Sequence, residues 1–367
     1  MAYASAGAGH FKAAEALYNC FKEKHKDVDI RLIDILDDTS SFFRLSYTRG
    51  YTFLIHYAVF LWKIAFWITE VKSLRGATRG IARLLNRSNT GKYIDILCKE
   101  NPDILVSTHF LSSEIAANLK QDKKISSCVI TVITDYGVHP FWISEGTDEY
   151  IVASDHSKQL LENEGIPAAK IRPLGIPVHA KFLKAQDKEA LIRKLGVKKN
   201  MFTVLLITGS FGLGHMDTVV EYLKSDVQLI VVCANNKQLY KKLSEKKYPN
   251  CIVCGFVDNI QELMAVSDMI ITKPGGLTIS EVLAMGIVPV FISAIPGQEV
   301  GNVRELEKFG IGTSPEDMQK LKEIVLAYKD NPGMLEKARE RIAAFRKKDA
   351  AQEICNAICK DCLRPAG

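Results

Sequence analysis

Short apolar runs, each bounded by polar residues or by glycine and proline, recur along most of this chain. Runs of four to six residues occupy positions 30–33, 104–107, 129–134, 150–153, 203–208, 229–233, 251–254, 269–272 and 288–292. They have the length of buried strands, and segments with the apolar spacing of amphipathic helices separate them. This alternation predicts parallel sheets covered by helices, which is an α/β fold.

A six-residue pattern occurs twice, as S-A-G-A-G-H at 5–10 and as S-F-G-L-G-H at 210–215. Each copy opens a predicted helix, at 11–24 and at 216–223. A glycine loop at a helix start is typical of the first strand-to-helix turn in a Rossmann-like unit. The two copies therefore predict two Rossmann-like domains in tandem.

The chain length of 367 residues, with 47% hydrophobic and 25% charged residues, is typical of a globular protein with two full cores. Two prolines and a glycine mark a linker at 172–178, so we expect a first domain at 1–177 and a second at 178–333. The last segment, 334–367, is expected to carry one helix over 334–360 that could pack back on the first domain.

The net charge of +6 is concentrated in one part of the chain. Residues 41–92 contain nine Lys or Arg residues and a single acid, Glu70. Basicity confined to one segment differs from a general nucleic-acid signature, so we expect no nucleic-acid partner. Nine cysteines, without a secretory leader pattern at the start of the sequence, indicate a reducing compartment.

The segment 41–92 also departs from the alternation of strands and helices. It has ten aromatic residues from position 42 to 67, including Trp62 and Trp67, within and before a nearly apolar run at 52–69. A stripe of arginines at four-residue spacing follows, formed by Arg75, Arg79, Arg83 and Arg87.

Three structures are compatible with this segment. A membrane-spanning helix needs about 20 apolar residues, and Lys63 would lie in the middle of the span. A buried helix with a solvated basic face is the second. An interfacial element is favoured, because aromatic side chains enter the headgroup boundary while arginines face anionic lipid. The side chains expected at an anionic membrane surface are Trp62, Trp67, Arg75, Arg79 and Arg83.

The densest cluster of hydrogen-bonding groups lies at 273–302. Gly275 and Gly276 open a predicted helix, Glu281 sits in its second turn, and P-G-Q-E follows at 296–299. A helix start offers unpaired N–H groups and the positive end of the dipole, and glycine lets a phosphate come close. A carboxylate can accept both ribose hydroxyl protons. Two glycines alone would indicate only a strand-to-helix turn, but the added Glu281 and P-G-Q-E indicate a site for a nucleoside diphosphate sugar.

Two residues at predicted carboxyl ends of strands are candidates for a general base. His10 ends the first glycine loop, and Asp135 follows the apolar run at 129–134. Ligands bind at this edge of a parallel sheet, so we expect one of them to deprotonate an acceptor hydroxyl and the other to orient the acceptor. The structural alternatives are a helix cap for His10 and a turn residue for Asp135. Because no D-x-D pair is placed to hold a divalent ion, we expect a metal-independent, inverting single displacement.

These motifs together resemble glycosyltransferases that make membrane glycolipids. The most specific are G-F-V-D-N-I at 255–260, K-P-G-G-L-T-I-S-E at 273–281 and P-G-Q-E-V-G-N at 296–302, with the loop at 5–10 and T-D-Y-G-V-H-P-F-W at 134–142. The chain is most similar to monogalactosyldiacylglycerol synthases and processive diacylglycerol β-glucosyltransferases, and more distantly to the peptidoglycan lipid-intermediate GlcNAc transferases. The resemblance covers nearly the whole chain and implies the GT-B fold, two Rossmann-like domains facing across a cleft.

The resemblance also implies roles for individual residues. In the second domain the backbone at Phe256 and Val257 would read uracil, and Glu281 would hold the ribose. The residues implied for the diphosphate are Gly212, Gly214, Gly275, Gly276 and Leu277. Those implied for the transferred sugar are Gln298, Glu299 and Asn302. Those implied for the acceptor lipid in the first domain are Gly7, Gly9 and His139, together with the aromatic segment.

The function implied is the transfer of a hexose from a UDP-sugar to diacylglycerol, without a cofactor, at the cytoplasmic face of the cell membrane as a peripheral protein. Glucose and galactose remain equal alternatives for the sugar. A UDP-sugar epimerase of the same architecture would not need the segment 41–92, and a transferase acting on a polyprenyl-linked acceptor is a further alternative. A nicotinamide-dependent oxidoreductase is disfavoured because neither glycine loop has the G-x-G-x-x-G spacing. A non-catalytic lipid binder would leave the chemistry of 275–299 unexplained.

Overall fold

The computed structural model describes residues 1–5, 7–37, 39–40, 43–44, 80, 86, 89–209 and 215–362. The chain divides into two compact units. The first unit comprises Met1–His179, Ile295–Gly301 and Asp349–Gly367, and the second comprises Ala180–Ala294 and Asn302–Lys348.

The first unit is built on one parallel sheet. Its strands are β1 Ala2–Tyr3, β2 Ile33–Asp34, β3 Ile104–Ser107, β4 Cys128–Val132, β5 Glu149–Ile151 and β6 Ile171–Arg172. They lie in the order β2-β1-β3-β4-β5-β6, with every pair parallel. Its first four described helices are α1 Ala8–Lys24, α2 Gly91–Glu100, α3 Phe110–Gln121 and α4 Asp155–Asn163.

The direction in which strands are added reverses at β1, which lies between β2 and β3. In open α/β sheets, ligands bind outside the carboxyl ends of the strands at such a reversal. The segments that follow β1, β3 and β4 therefore mark where chemistry is expected in this unit. Beneath them, Ile130 and Val132 are fully buried, as the continuous apolar run predicted.

The second unit repeats this plan with five strands. They are β7 Thr203–Ile207, β8 Gln228–Val232, β9 Cys251–Cys254, β10 Met269–Thr272 and β11 Val288–Phe291. The order is β11-β10-β7-β8-β9, again all parallel, so the reversal lies between β10 and β7. The two parallel sheets confirm the predicted α/β class with two Rossmann-like domains.

Eight described α-helices follow in the rest of the chain up to residue 345. They are α5 Lys188–Leu195, α6 Met216–Leu223, α7 Lys237–Glu245, α8 Ile260–Ala265, α9 Gly276–Met285, α10 Gln298–Glu307, α11 Met318–Asp330 and α12 Pro332–Phe345. Because Ile295–Gly301 belongs to the first unit, the start of α10 lies there and its remainder lies in the second.

The end of the chain forms two helices, so the prediction of one helix over 334–360 is wrong. Helix α12 stops because Arg346 is extended, with φ −64° and ψ 139°. Its guanidinium Nη1 donates to the carbonyl oxygen of Ala284 at 3.0 Å, which ties this break to the end of α9. The last helix, α13 Ala350–Cys362, belongs to the first unit, where Ile354 and Ile358 pack in the cluster that contains Leu17 of α1.

Several predicted residues fall outside the described part of the chain. They are Trp62, Trp67, Arg75, Arg79, Arg83, Gly212 and Gly214. Among the helices that the structure describes, none combines the length and the apolar character needed to cross a membrane.

Candidate active site

The loop after β1 leads directly into α1. Gly7 is the N-cap of α1 in an extended conformation, with φ −171° and ψ 159°, and no side chain caps the helix. Among the residues that the structure describes, none has an atom within 4 Å of a Cβ built on Gly7. Gly9 and His10 follow in the first turn of α1, and both keep part of their surface exposed. The first N–H groups of α1 have no partner within the helix, as at any helix start.

The imidazole of His10 is held by groups from two other strand ends. Its Nδ1 lies 2.8 Å from the carbonyl oxygen of Thr108 and 3.0 Å from Oγ1 of Thr134. A carbonyl oxygen only accepts hydrogen bonds, so Nδ1 carries the proton and donates it. The lone pair of the neutral ring is consequently on Nε2, which is the nitrogen able to accept a proton.

Burial of the ring lowers the pKa of His10 to about 4, and the hydrogen bond to Thr108 opposes this shift only in part. The ring is therefore neutral at physiological pH. The hydroxyl of Thr108 also donates a hydrogen bond to the carbonyl oxygen of His10 at 2.8 Å, so two hydrogen bonds connect these residues. Trp142, only 3% exposed, lies with its ring centroid 6.1 Å from that of His10.

A second histidine, His109, lies beside His10 and was not singled out from the sequence. Its side chain is 1% exposed, and the two imidazole centroids are 4.6 Å apart at an interplanar angle of 79°. The signal that could have found it is positional, because His109 follows β3 as His10 follows β1. Both strand ends flank the reversal of the sheet, where residues from distant segments meet.

Asp135 follows β4 and is nearly buried, at 3% exposure. Its Oδ2 accepts a hydrogen bond from Nε2 of Gln298, at 2.7 Å, within the first unit. The backbones of the same two segments also come close. A Cβ on Gly137 would lie 3.0 Å from the carbonyl carbon of Gly301, a contact tighter than most real Cβ atoms make. Glycine at these positions thus allows Gln298 to reach Asp135.

His139 was predicted from the family resemblance as an acceptor contact. In the structure its Nδ1 accepts a hydrogen bond from the N–H of Phe141 at 3.2 Å and caps the short 3-10 helix Pro140–Trp142. Its ring also packs on Phe141, with centroids 4.5 Å apart. Phe141 is 39% exposed, so this turn presents an aromatic surface next to the buried Trp142.

In the second unit, the start of α9 has the features predicted for a phosphate site. Gly275 is the N-cap, with φ −71° and ψ 136°, and it follows β10 at the reversal of the sheet. Gly276 and Leu277 are buried, and Glu281 in the second turn is partly exposed. The first N–H groups of α9 have no partner within the helix and carry the positive end of its dipole, which suits an anion.

Asn302 was predicted to face the transferred sugar. The structure buries it completely, and its Nδ2 donates to the carbonyl oxygen of Pro274 at 3.0 Å. It therefore fixes the loop that precedes α9. Glu299, predicted for the same sugar, accepts a hydrogen bond on Oε2 from the N–H of Ile295 at 2.7 Å and so closes the turn before α10.

The loop after β9 carries Phe256 and Val257. Phe256 is 70% exposed, the most exposed of the large hydrophobic residues in the described chain, and Val257 is partly buried against the core of the second unit. Nζ of Lys181 donates to the carbonyl oxygen of Asp258 at 2.8 Å and anchors this loop. An exposed aromatic ring at the carboxyl end of a strand is a suitable stacking partner for a flat base.

The predicted site residues thus form two groups, one in each unit. His10, Asp135 and Gln298 lie at the carboxyl edge of the first sheet, with the addition of His109. Gly275, Gly276, Leu277 and Glu281 lie on α9 at the carboxyl edge of the second. In the described part of the chain, no three His, Cys, Asp or Glu side chains are grouped so that they could hold a metal ion.

The two Rossmann-like units and the glycine-led helix starts define the GT-B class of two-domain proteins. The family model for monogalactosyldiacylglycerol (MGDG) synthase matches residues 10–178, and the model for the glycosyltransferase family 28 C-terminal domain matches residues 204–354. The chain is 31% identical, over 323 residues, to a processive diacylglycerol beta-glucosyltransferase of Bacillus cereus, covering 83% of this chain and 78% of that protein. It belongs to this family of diacylglycerol glycosyltransferases.

Solved structures share the fold at low identity. MurG of Acinetobacter baumannii superposes with a TM-score of 0.61 and 14% identity, covering 98% of each chain. A UDP-GlcNAc 2-epimerase from Neisseria meningitidis, bound to UDP-GlcNAc, superposes with a TM-score of 0.57 and 14% identity, covering 98% of this chain and 99% of that one. The fold alone therefore does not separate a transferase from an epimerase, whereas the sequence family does.

Proposed function

We propose that this protein transfers a hexose from a UDP-sugar to the free hydroxyl of diacylglycerol and so makes a membrane glycolipid. The observation that carries the proposal is the geometry of His10, whose Nδ1 is held by the carbonyl of Thr108 so that Nε2 has the lone pair. A neutral imidazole at a sheet reversal is suited to take a proton from a hydroxyl group. Membership of the diacylglycerol glycosyltransferase family supports the choice of acceptor.

In the proposed reaction, His10 takes the proton of the acceptor hydroxyl as the oxygen attacks the anomeric carbon of the sugar. The bond from that carbon to the diphosphate breaks on the opposite side, UDP leaves, and the anomeric configuration inverts. Charge that develops on the diphosphate is stabilised by the N–H groups at the start of α9, at Gly276 and Leu277, and by its dipole. The reaction proposed here needs no metal ion.

The remaining donor contacts follow from the same arrangement. Phe256, exposed at the end of β9, stacks on or beside uracil, while Glu281 accepts hydrogen bonds from the ribose hydroxyls. Gln298 and Glu299 exchange their present partners for hydroxyl groups of the transferred sugar. Asn302 acts indirectly, since it holds Pro274 and thereby the phosphate-binding loop.

The acceptor is a membrane lipid, so the protein must work at a membrane surface. We infer a peripheral association at the cytoplasmic face, with the aromatic and basic segment 41–92 against anionic lipid. The exposed ring of Phe141, beside the buried Trp142, adds an apolar contact for an acyl chain close to His10.

The proposal is tested by incubating the protein with UDP-glucose and UDP-galactose, separately, and with diacylglycerol in anionic vesicles. Mass analysis of the lipid fraction is expected to show a hexosyl-diacylglycerol with one of the two donors. Interconversion of the UDP-sugars without added lipid would instead establish an epimerase. Product formed only when a polyprenyl-linked acceptor replaces diacylglycerol would overturn the proposed acceptor.

Replacement of Glu281 by alanine is expected to weaken UDP binding by about 10- to 100-fold, since hydrogen bonds to a charged group contribute about 1.5–3 kcal/mol. Glu281→Gln, which keeps one carbonyl oxygen, is expected to lose less affinity for UDP. Isothermal titration with UDP measures both. Glu323→Ala, on the exposed face of α11, is the matched control and should bind as the wild type does. Unchanged affinity in Glu281→Ala would disprove the ribose contact.

A further inference from the structure

His109 is a buried, titratable side chain in contact with His10 for which the proposed reaction has no use so far. Its ring is enclosed on two sides. The imidazole of His10 lies edge-on at 4.6 Å, and the ring of Phe110 stacks at 4.3 Å with an interplanar angle of 30°. Phe110 in turn meets Trp142 at 6.0 Å, so His109 cannot rotate without displacing aromatic neighbours.

The protonation state of His109 is set by the helix that it caps. Its Nδ1 accepts a hydrogen bond from the N–H of Leu111 at 3.1 Å, at the N-cap of the twelve-residue helix α3. A protonated Nδ1 could not accept this bond, and a positive ring would face the positive end of the helix dipole. Burial, and the neighbouring ring of His10, also hold the pKa of His109 well below its usual range. His109 is therefore a neutral ring with its proton on Nε2.

Each element packed against His10 contributes a defined group. The end of β3 supplies the carbonyl oxygen of Thr108 and the ring of His109, and the end of β4 supplies the hydroxyl of Thr134. The 3-10 turn supplies the ring of Trp142. The charged group closest in sequence to these contacts is Asp135, which follows Thr134. Of the two described rings in contact with His10, those of His109 and Trp142, only that of His109 can titrate.

We propose that His109 is a positioning residue for His10, holding the imidazole edge-on in one orientation and remaining neutral so that the acceptor proton can go only to His10. The inference rests on the proposed function, in which His10 is the base. Orientation of a base relative to its substrate affects the rate strongly, because small displacements from the reactive geometry are costly. A neutral neighbour also adds no repulsion when His10 becomes positively charged during the reaction.

The test uses two substitutions that keep the helix cap. Asparagine and aspartate are both good N-cap residues, so His109→Asn and His109→Asp each offer an oxygen to the N–H of Leu111. Either change removes the ring and lets water approach His10, which raises the pKa of His10 toward its ordinary value of about 6.5. Aspartate also places a negative charge beside His10, so His109→Asp is expected to raise that pKa further than His109→Asn.

The readout is the pH dependence of kcat/KM, whose acid limb reports the base in the free enzyme. The wild-type limb is expected near the His10 pKa of about 4. In His109→Asn the acid limb should shift to higher pH. If the pKa of His10 reaches its ordinary value, kcat/KM at pH 6 is lowered by about fourfold. The loss of orientation should add a decrease of roughly tenfold at every pH.

His25→Asn is the matched control, because His25 lies at the other end of α1 from His10. It should leave the acid limb in place. Circular dichroism and UDP titration establish that each variant is folded and retains its donor site. The proposal is overturned if folded His109→Asn and His109→Asp keep the wild-type limb. Histidine NMR titration without substrate measures the pKa of His10 directly, so it tests this contact even if the wild type makes no glycolipid.

Discussion

Replacing His10 by alanine is expected to lower the rate of hexose transfer by about 10²- to 10⁴-fold, the contribution typical of a positioned general base. The acceptor hydroxyl would then have to lose its proton to water as it attacks the sugar. Affinity for UDP should stay at the wild-type value, because the helix start at Gly276, which we propose binds the diphosphate, belongs to the second unit and His10 to the first.

Two measurements separate this outcome from a loss of folding. Transfer is followed as hexosyl-diacylglycerol formed in vesicles, and UDP affinity is followed by calorimetry. His25→Ala, at the C-cap of the same helix and at its opposite end from His10, should retain transfer at close to the wild-type rate. His10→Ala with wild-type turnover would rule out His10 as the base and leave Asp135 as the candidate.

The second large effect is expected for Asp135→Asn, which should lower transfer by on the order of 10²-fold, as loss of one electrostatic stabiliser typically does. Desolvation of the ring lowers the pKa of His10, so the positive charge that it gains during the reaction is poorly solvated. We propose that the carboxylate of Asp135, which follows Thr134 at the same edge of the sheet, stabilises that charge and orients the acceptor. Asparagine keeps an oxygen that can accept the hydrogen bond from Nε2 of Gln298, so the substitution removes the charge and keeps the geometry.

The matched comparison is Gln298→Ala, which removes the hydrogen-bond donor and keeps the charge of Asp135. We expect this variant to raise the KM for the donor by a larger factor than it lowers kcat, since Gln298 is proposed to contact the sugar. Steady-state kinetics, with the UDP-sugar concentration varied at a fixed diacylglycerol concentration, distinguish an effect on KM from an effect on kcat. If Asp135→Asn changed only the KM for the UDP-sugar, Asp135 would have a role in donor binding and would not support His10 in proton transfer.

Much of the fold follows from local patterns that the sequence displays. The strands β3, β9 and β10 have the predicted bounds, because each is a run of apolar residues between polar or glycine-containing turns. The repeated glycine loop with its following helix identified both Rossmann-like domains. The C-terminal helix was predicted wrongly because nothing local marks its break. Arg346 leaves the helical conformation, and its side chain donates to the carbonyl oxygen of Ala284 at the end of α9. Ala284 lies 62 positions away in the sequence.

The candidate site shows the same division between local and distant information. Glycines, a carboxylate and a histidine at strand ends have chemical roles that their residue types suggest. The side chain that each one contacts depends on how distant strands pair. Gln298 and Asp135 are 163 positions apart, and the hydrogen bond between them could not be predicted from either motif. Asn302 is completely buried, and its hydrogen bond to the carbonyl oxygen of Pro274, 28 positions away, could not be predicted from its motif either.

By itself, the sequence determined the α/β class, the two Rossmann-like domains and the resemblance to diacylglycerol glycosyltransferases, because periodicity and short motifs are properties of neighbouring residues. Only the tertiary structure decided which nitrogen of His10 can accept a proton. Thr108 and Thr134 lie 98 and 124 positions from His10, and they meet its Nδ1 because β1, β3 and β4 end at one edge of the sheet. The contact with His109 arises in the same way, since strand order, and not sequence distance, sets which side chains meet.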